Sequence, residues 1–249
     1  MKIALLSDIH ANLPALDAAL ADIDSRKPDA VYCLGDLVGY NVWPSEVIHE
    51  IQRRNIATLA GNHDLKVPKL GNEKGGQIET TCKNYAYSIV GIAEREYLLT
   101  LPAHIRLEFL LNGEKLNVLF VHGSPRNVSE YLLESMEETL LSKIMQEANA
   151  DILCFGHSHK PYHRIINTGV NEQNYFRHAI NIGSVGKPKD NNPKGCYVIL
   201  TINADNSVTN KESVHVEFIR FEYDVEKAAK AVEGSPLPNE FAEMLREGY

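Results

Sequence analysis

Five short segments of this chain gather side chains that bind metals or move protons: Asp8-Ile9-His10, Asp36, Asn62-His63-Asp64, His122-Gly123 and His157-Ser158-His159. Asp offers hard anionic oxygen, His a borderline nitrogen and Asn a neutral oxygen, and no cysteine stands among them. That mixture suits two divalent ions of the Mn, Fe, Zn, Ni or Co kind better than Ca²⁺, which prefers all-oxygen cages. Each fragment alone is weak, because D-x-H and H-x-H recur by chance and a single strand-end histidine is usually just a hydrogen-bonded polar residue. The ordered set of five is what points to a metal site.

Each segment ends an apolar run. KIALLS leads into Asp8, AVYCLG into Asp36, IATLAG into Asn62, KLNVLFV into His122, and DILCF-Gly156 into His157. Ligand sites in α/β sheets form beyond the carboxyl ends of strands, so five such ends could converge. Residues two apart in extended chain point the same way, which lets Asp8 with His10, and His157 with His159, face one site. Gly35, Gly61, Gly123 and Gly156 beside them suit sharp turns and close approach.

The elements that must carry these ends alternate. Helices are expected over 12–27 and 43–54 between the first three strands, the signature of βαβ units and a partly parallel sheet. Residues 65–103 carry no clear strand: GNEKGG reads as a loop and 77–101 as mostly helical, together a cap or insertion. Asn112-Gly113 predicts a hairpin, 129–148 a helix, and four strand-like runs fill 162–223 before two short closing helices. Without a repeat or composition break, 1–249 reads as one α/β domain.

The 249 residues can bury a substantial core, and 44% hydrophobic with 23% charged residues is ordinary for a globular protein. A net charge of −8 argues against broad charge-driven binding to nucleic acid or an anionic membrane, while leaving room for a local cationic site. The N-terminal apolar run is too short for a signal peptide and no segment approaches a membrane span, so a cytoplasmic protein is the default. The four scattered cysteines read as free thiols, Cys33 and Cys154 buried. The sequence leaves a homo-oligomer open.

SDIH, GDLVGY, GNHD, VHGSP and GHSH, in that order, resemble the five motifs of the calcineurin-like metallophosphoesterases, over residues 3 to about 190. DIHANLPAL and GDLVGY look most like the small bacterial branch. The resemblance implies a four-layer α-β-β-α sandwich with two mixed sheets and a dinuclear centre at strand C-terminal ends. It implies that Asp8, His10 and His159 hold one ion, that Asn62, His122 and His157 hold the other, and that Asp36 bridges both. It implies hydrolysis of a phosphate ester by a bridging hydroxide between cations ~3.5–4 Å apart, with His63 as proton donor or transition-state stabiliser.

The sequence departs from the protein-phosphatase form GDxVDRG. Gly39 replaces the second Asp, which there orients the catalytic histidine, and Tyr40 replaces a phosphate-gripping Arg. The expected substrate is therefore a phosphodiester or small phosphorylated metabolite rather than a phosphoprotein. Asp64 is a candidate to orient His63 instead. Asn12 and Tyr40 are candidate substrate contacts, though Asn12 reads first as a helix cap, and Trp43 reads as a packed helix start before a base-stacking ring. Lys187 and Lys189 could touch phosphate but read as solvated loop lysines, and His49, His104, His163, His178 and His215 as surface or core residues. The rival readings are a weakly active interaction scaffold, which expects eroded ligands, and a nuclease, which wants a basic groove.

Overall fold

The computed structural model describes residues 1–73, 84–111, 113–169 and 173–249. The chain runs β1 (Lys2–Leu6), α1 (Leu13–Arg26), β2 (Ala30–Cys33), α2 (Pro44–Arg53), β3 (Ala57–Thr58), α3 (Asn62–Glu73), α4 (Tyr85–Ser88), α5 (Ile92–Thr100), β4 (Ile105–Leu111), β5 (Glu114–Phe120), α6 (Glu138–Glu147), β6 (Ile152–Phe155), β7 (Tyr162–Asn167), β8 (Phe176–Asn181), β9 (Gly195–Thr201), β10 (His215–Phe221), α7 (Val225–Glu233) and α8 (Glu240–Glu247).

Two mixed sheets form, in the orders β10-β9-β1-β2-β3 and β4-β5-β6-β8-β7. In the first, β1, β2 and β3 run parallel and β9 and β10 antiparallel to their neighbours. In the second, β5, β6 and β8 are parallel, with β4 and β7 antiparallel at the edges. Alternation along the strands builds the layers. Ile3 and Leu5 of β1 meet Leu116, Val118 and Phe120 of β5 and Ile152 and Cys154 of β6 between the sheets. Ala4 and Leu6 face outward onto α1 and α2. Leu119, Leu153 and Phe155 face the other way, onto Leu141, Ile144 and Met145 of α6. The order is thus helix, sheet, sheet, helix, as expected.

Four expectations needed revision. The strand over IATLAG pairs only at Ala57–Thr58: Leu59 N–H still donates to Cys33 C=O, but the next amide on that side, Gly61 N–H, donates to Asp64 Oδ2 instead. Gly71, Asn72 and Glu73 are not loop but the end of α3, a helix once nucleated propagating through Gly71. The long helix over 129–148 is only Glu138–Glu147. Side chains of β7 and of the turn after β6 take the carbonyls before it: Tyr162 Oη donates to Leu132, Arg164 to Glu134 and Met136, and His157 Nε2 to Ser129. Lys187 is 2% exposed rather than solvated, its Nζ 4.8 Å from the Tyr40 ring centre, and burial pushes its pKa down to about 8. Lys189 is half-buried.

The described part of 65–103 packs into the body of the molecule, Val67, Tyr87, Val90 and Leu98 sharing a cluster with Leu37 and Val38. Leu111 pairs with Glu114 across the expected hairpin, where Gly113 has φ +84; Asn112 lies outside the described residues. Cys33, Cys154 and Cys196 are buried free thiols, and Cys82 lies outside the described residues. Among the described residues no helix is long and apolar enough to cross a membrane.

Candidate metal centre

The five strand ends meet. Coordinating atoms of Asp8, His10 and His159 lie within 4.8 Å of one another, as do those of Asp36, His122 and His157. Asn62 Oδ1 is 3.1 Å from His122 Nε2, in the second group. Asp36 joins the two, its Oδ2 3.7 Å from His10 Nε2 and 3.3 Å from His122 Nε2. His63 stands beside them, its ring nitrogen within 4.8 Å of the His10 and Asp36 ligand atoms and its backbone N–H donating to Asp36 Oδ1 at 2.8 Å.

The side chains do not converge by extended alternation. Asp8, His10, Asp36, His157 and His159 all lie at φ between +51 and +64, the left-handed region. β1 ends at Leu6 and β6 at Phe155, so each pair sits on a turn that throws its side chains outward, and His157 and His159 enter different groups. Such backbone costs of order 1 kcal/mol per residue and clusters at functional sites. Gly61 makes the crowding tolerable, since a Cβ there would stand 2.1 Å from Asp36 Oδ1.

Three imidazoles are oriented through Nδ1. His10 donates to Val38 C=O, His122 to Leu34 C=O and His159 to Lys187 C=O, leaving each Nε2 aimed inward. His157 is reversed, its Nε2 on Ser129 C=O and its face stacked on Tyr131 at 4.2 Å. Metal-binding histidines generally tie their other nitrogen this way. Two further observations fit cations. Asp8 Oδ1 is fully buried without a hydrogen bond, and His10 Nε2 and His159 Nε2 face each other at 3.2 Å. Against burial, which works to raise them, nearby imidazoles hold the Asp8 and Asp36 carboxyls well below the usual range.

A comparison with known proteins decides the family. The profile of the calcineurin-like phosphoesterase superfamily domain matches residues 1–205. The chain belongs to the calcineurin-like phosphoesterases. This phosphoesterase is 31% identical to the uncharacterized protein MJ0912 of Methanocaldococcus jannaschii, over 98% of this chain and 96% of that one. Among solved structures it resembles a metallophosphoesterase from Sphaerobacter thermophilus, at 25% identity, TM-score 0.75 and full coverage of both chains. The hypothetical protein PH1004 of Pyrococcus horikoshii shares the fold, at 24% identity and TM-score 0.77, over 100% and 98% of the two chains.

Three other candidates resolve differently. Asp64 does not touch the His63 ring; its carboxylate accepts the backbone N–H groups of Asp36, Leu37, Val38 and Gly61 and so pins the second motif. Asn12 is wholly buried, Oδ1 capping α1 at Ala15 N–H and Nδ2 donating to Gly186 C=O, which commits it to the fold. Trp43 packs at the start of α2 against the α7–α8 cluster. Tyr40 does lie at the centre, its ring 4.9 Å from His10 and 5.0 Å from His63.

Two site-facing residues had no sequence signal. Tyr87 places its hydroxyl 2.6 Å from His63 Nδ1, and Tyr131 covers His157. His49, His104 and His215 are exposed, and His163 pairs with the buried His178 at 2.9 Å, all remote from the centre's hydrogen bonds.

Proposed function

We propose that this phosphoesterase hydrolyses a phosphodiester or a small phosphorylated metabolite at the centre where the two ligand groups share Asp36. The observation that carries the reading is the arrangement itself: all seven expected ligands sit in two groups around one carboxylate, with the imidazole of His63 beside that carboxylate and the His63 backbone N–H donating to it. Asp8, His10 and His159 would hold one divalent cation, Asn62, His122 and His157 the other, and Asp36 both. When bound, such a pair supplies Lewis acidity toward phosphoryl oxygens and lowers the pKa of water.

The chain's own residues supply the rest. His63 would hold a proton at its free ring nitrogen, facing the leaving oxygen, where a donor is worth most as charge develops. Burial pushes its pKa down to about 4, so the role the geometry supports is an N–H hydrogen bond to the leaving oxygen as charge develops there. Lys189, half-buried and within electrostatic reach of Asp8 and Asp36, makes no side-chain ion pair among the described residues and could meet a phosphate oxygen. At the position of the missing Arg, Tyr40 presents a phenol, which suits a singly charged diester better than a dianionic monoester.

The test is turnover of bis-p-nitrophenyl phosphate and a panel of diesters, monoesters and nucleotides by Mn²⁺-loaded protein. Diester hydrolysis, lost in Asp36→Asn, is the expected result. A fully loaded protein inert toward every ester would overturn the reading and leave the scaffold alternative.

A further inference from the structure

Gly39 has φ +94, and a Cβ placed on it would stand 2.6 Å from His63 Nδ1. Position 39 therefore has no room for a side chain that could orient the ring. The inner nitrogen is partnered from another part of the chain. Tyr87, on the single turn of α4, brings its hydroxyl to 2.6 Å from Nδ1 and lays its ring beside the imidazole at 28°. Tyr87 is 4% exposed and packs among the residues of the core cluster that includes Val38 and Val67, so the hydroxyl is held rather than swinging in solvent. Asp64, the neighbouring carboxylate, is spent on four backbone N–H groups.

We propose that Tyr87 is a positioning residue: its O–H donates to His63 Nδ1 and so fixes the tautomer that carries the proton on Nε2, the nitrogen left for substrate. A hydroxyl adds no charge beside the centre and, as a donor to Nδ1, favours the proton on Nε2, whereas a carboxylate there would accept from Nδ1–H. The proposal rests on the phosphoesterase reading and names a device within that site. The bond formed and broken at phosphorus is unchanged; Tyr87 transfers no proton and only orients the Nε2–H that hydrogen-bonds to the leaving oxygen as its charge develops, solvent supplying the proton that oxygen finally takes.

The decisive measurement is spectroscopic. Long-range ¹H–¹⁵N spectra of ¹⁵N-histidine-labelled, Zn²⁺-loaded protein should show His63 as the Nε2–H tautomer, and a Tyr87→Phe protein with the same Zn content should show a mixture. An Nδ1–H tautomer in the unmodified protein, or an unchanged spectrum in Tyr87→Phe, overturns the proposal. Kinetically, Tyr87→Phe should lower kcat ~10–100-fold on a diester with an alkyl leaving group, less on one releasing p-nitrophenolate, with KM little changed. It should cost nothing further in a His63→Asn background. Equal losses on both esters, or an undiminished loss in that background, also overturn it. If the unmodified enzyme hydrolyses no ester at all, the function reading fails while the spectra still decide the Tyr87 question.

Discussion

The two halves of the centre are built from the same residue types but not with the same closure. Asp8, His10 and His159 are 0%, 0% and 2% exposed, and both imidazoles are fixed by carbonyls of the surrounding loops. His157 is 7% exposed, and Asn62 is half-buried at the first turn of α3. The irregular stretch ahead of α6 holds His157 through Ser129 and through Tyr131, itself 50% exposed. The first half is sealed; the second, although its Asp36 and His122 are 1% exposed, comes nearer the surface at Asn62 and at His157, beneath a half-exposed aromatic ring. Substrate and exchanging ions should enter by the second.

The shared carboxylate offers the largest effect. Asp36→Asn should lower both metal content and turnover together, by ~1,000-fold or more in rate, read by metal analysis alongside diester assays. Loss of only one ion would show that the halves are independent. Next, timed chelation should strip one equivalent quickly and one slowly, and His157→Ala should abolish the fast phase while the slow ion stays. If His159→Ala removed the fast ion instead, the assignment of sealed and open halves would be reversed. Tyr131→Ala should weaken only the fast-exchanging ion, by ~2–10-fold, the scale of one ring-stacking contact, measured by competition with a fluorescent chelator.

The smallest effect lies outside both halves and calibrates them. Burial, followed by the neighbouring His163, pushes the His178 pKa down to about 4. The unfolded chain, with its histidine near ~6.5, therefore binds more protons than the fold between those values. The contribution to stability is complete above about pH 6.5 and declines as pH falls toward 4. Thermal midpoints across that range should fall in the unmodified protein and fall less in His178→Gln.

How much of this could be read from residues alone differs between the ligands and their supports. The proposed ligands announce themselves because strand ends are apolar runs stopped by Asp and His, a local pattern. Their oriented carbonyls, at Leu34, Val38 and Lys187, leave no trace, because every residue has a carbonyl. Tyr87 is silent for a similar reason: it lies on one helical turn 24 residues beyond His63, and only the packing of α4 brings them together. The helix expected over 129–148 failed where Arg164 and Tyr162 captured its carbonyls, a tertiary contact that outbids local periodicity. Lys187 looked solvated because its loop composition is polar, yet the loop folds inward over Tyr40.

The left-handed turns at Asp8, His10, Asp36, His157 and His159 have a consequence for the history of the chain. At each of these positions a glycine would relieve backbone strain of order 1 kcal/mol and would also remove an ion-binding group from the interior. Mutational drift guided by robustness of the apo-fold would therefore erase this centre readily. A lineage that lost its need for the cations should be recognisable by glycines at just these turns.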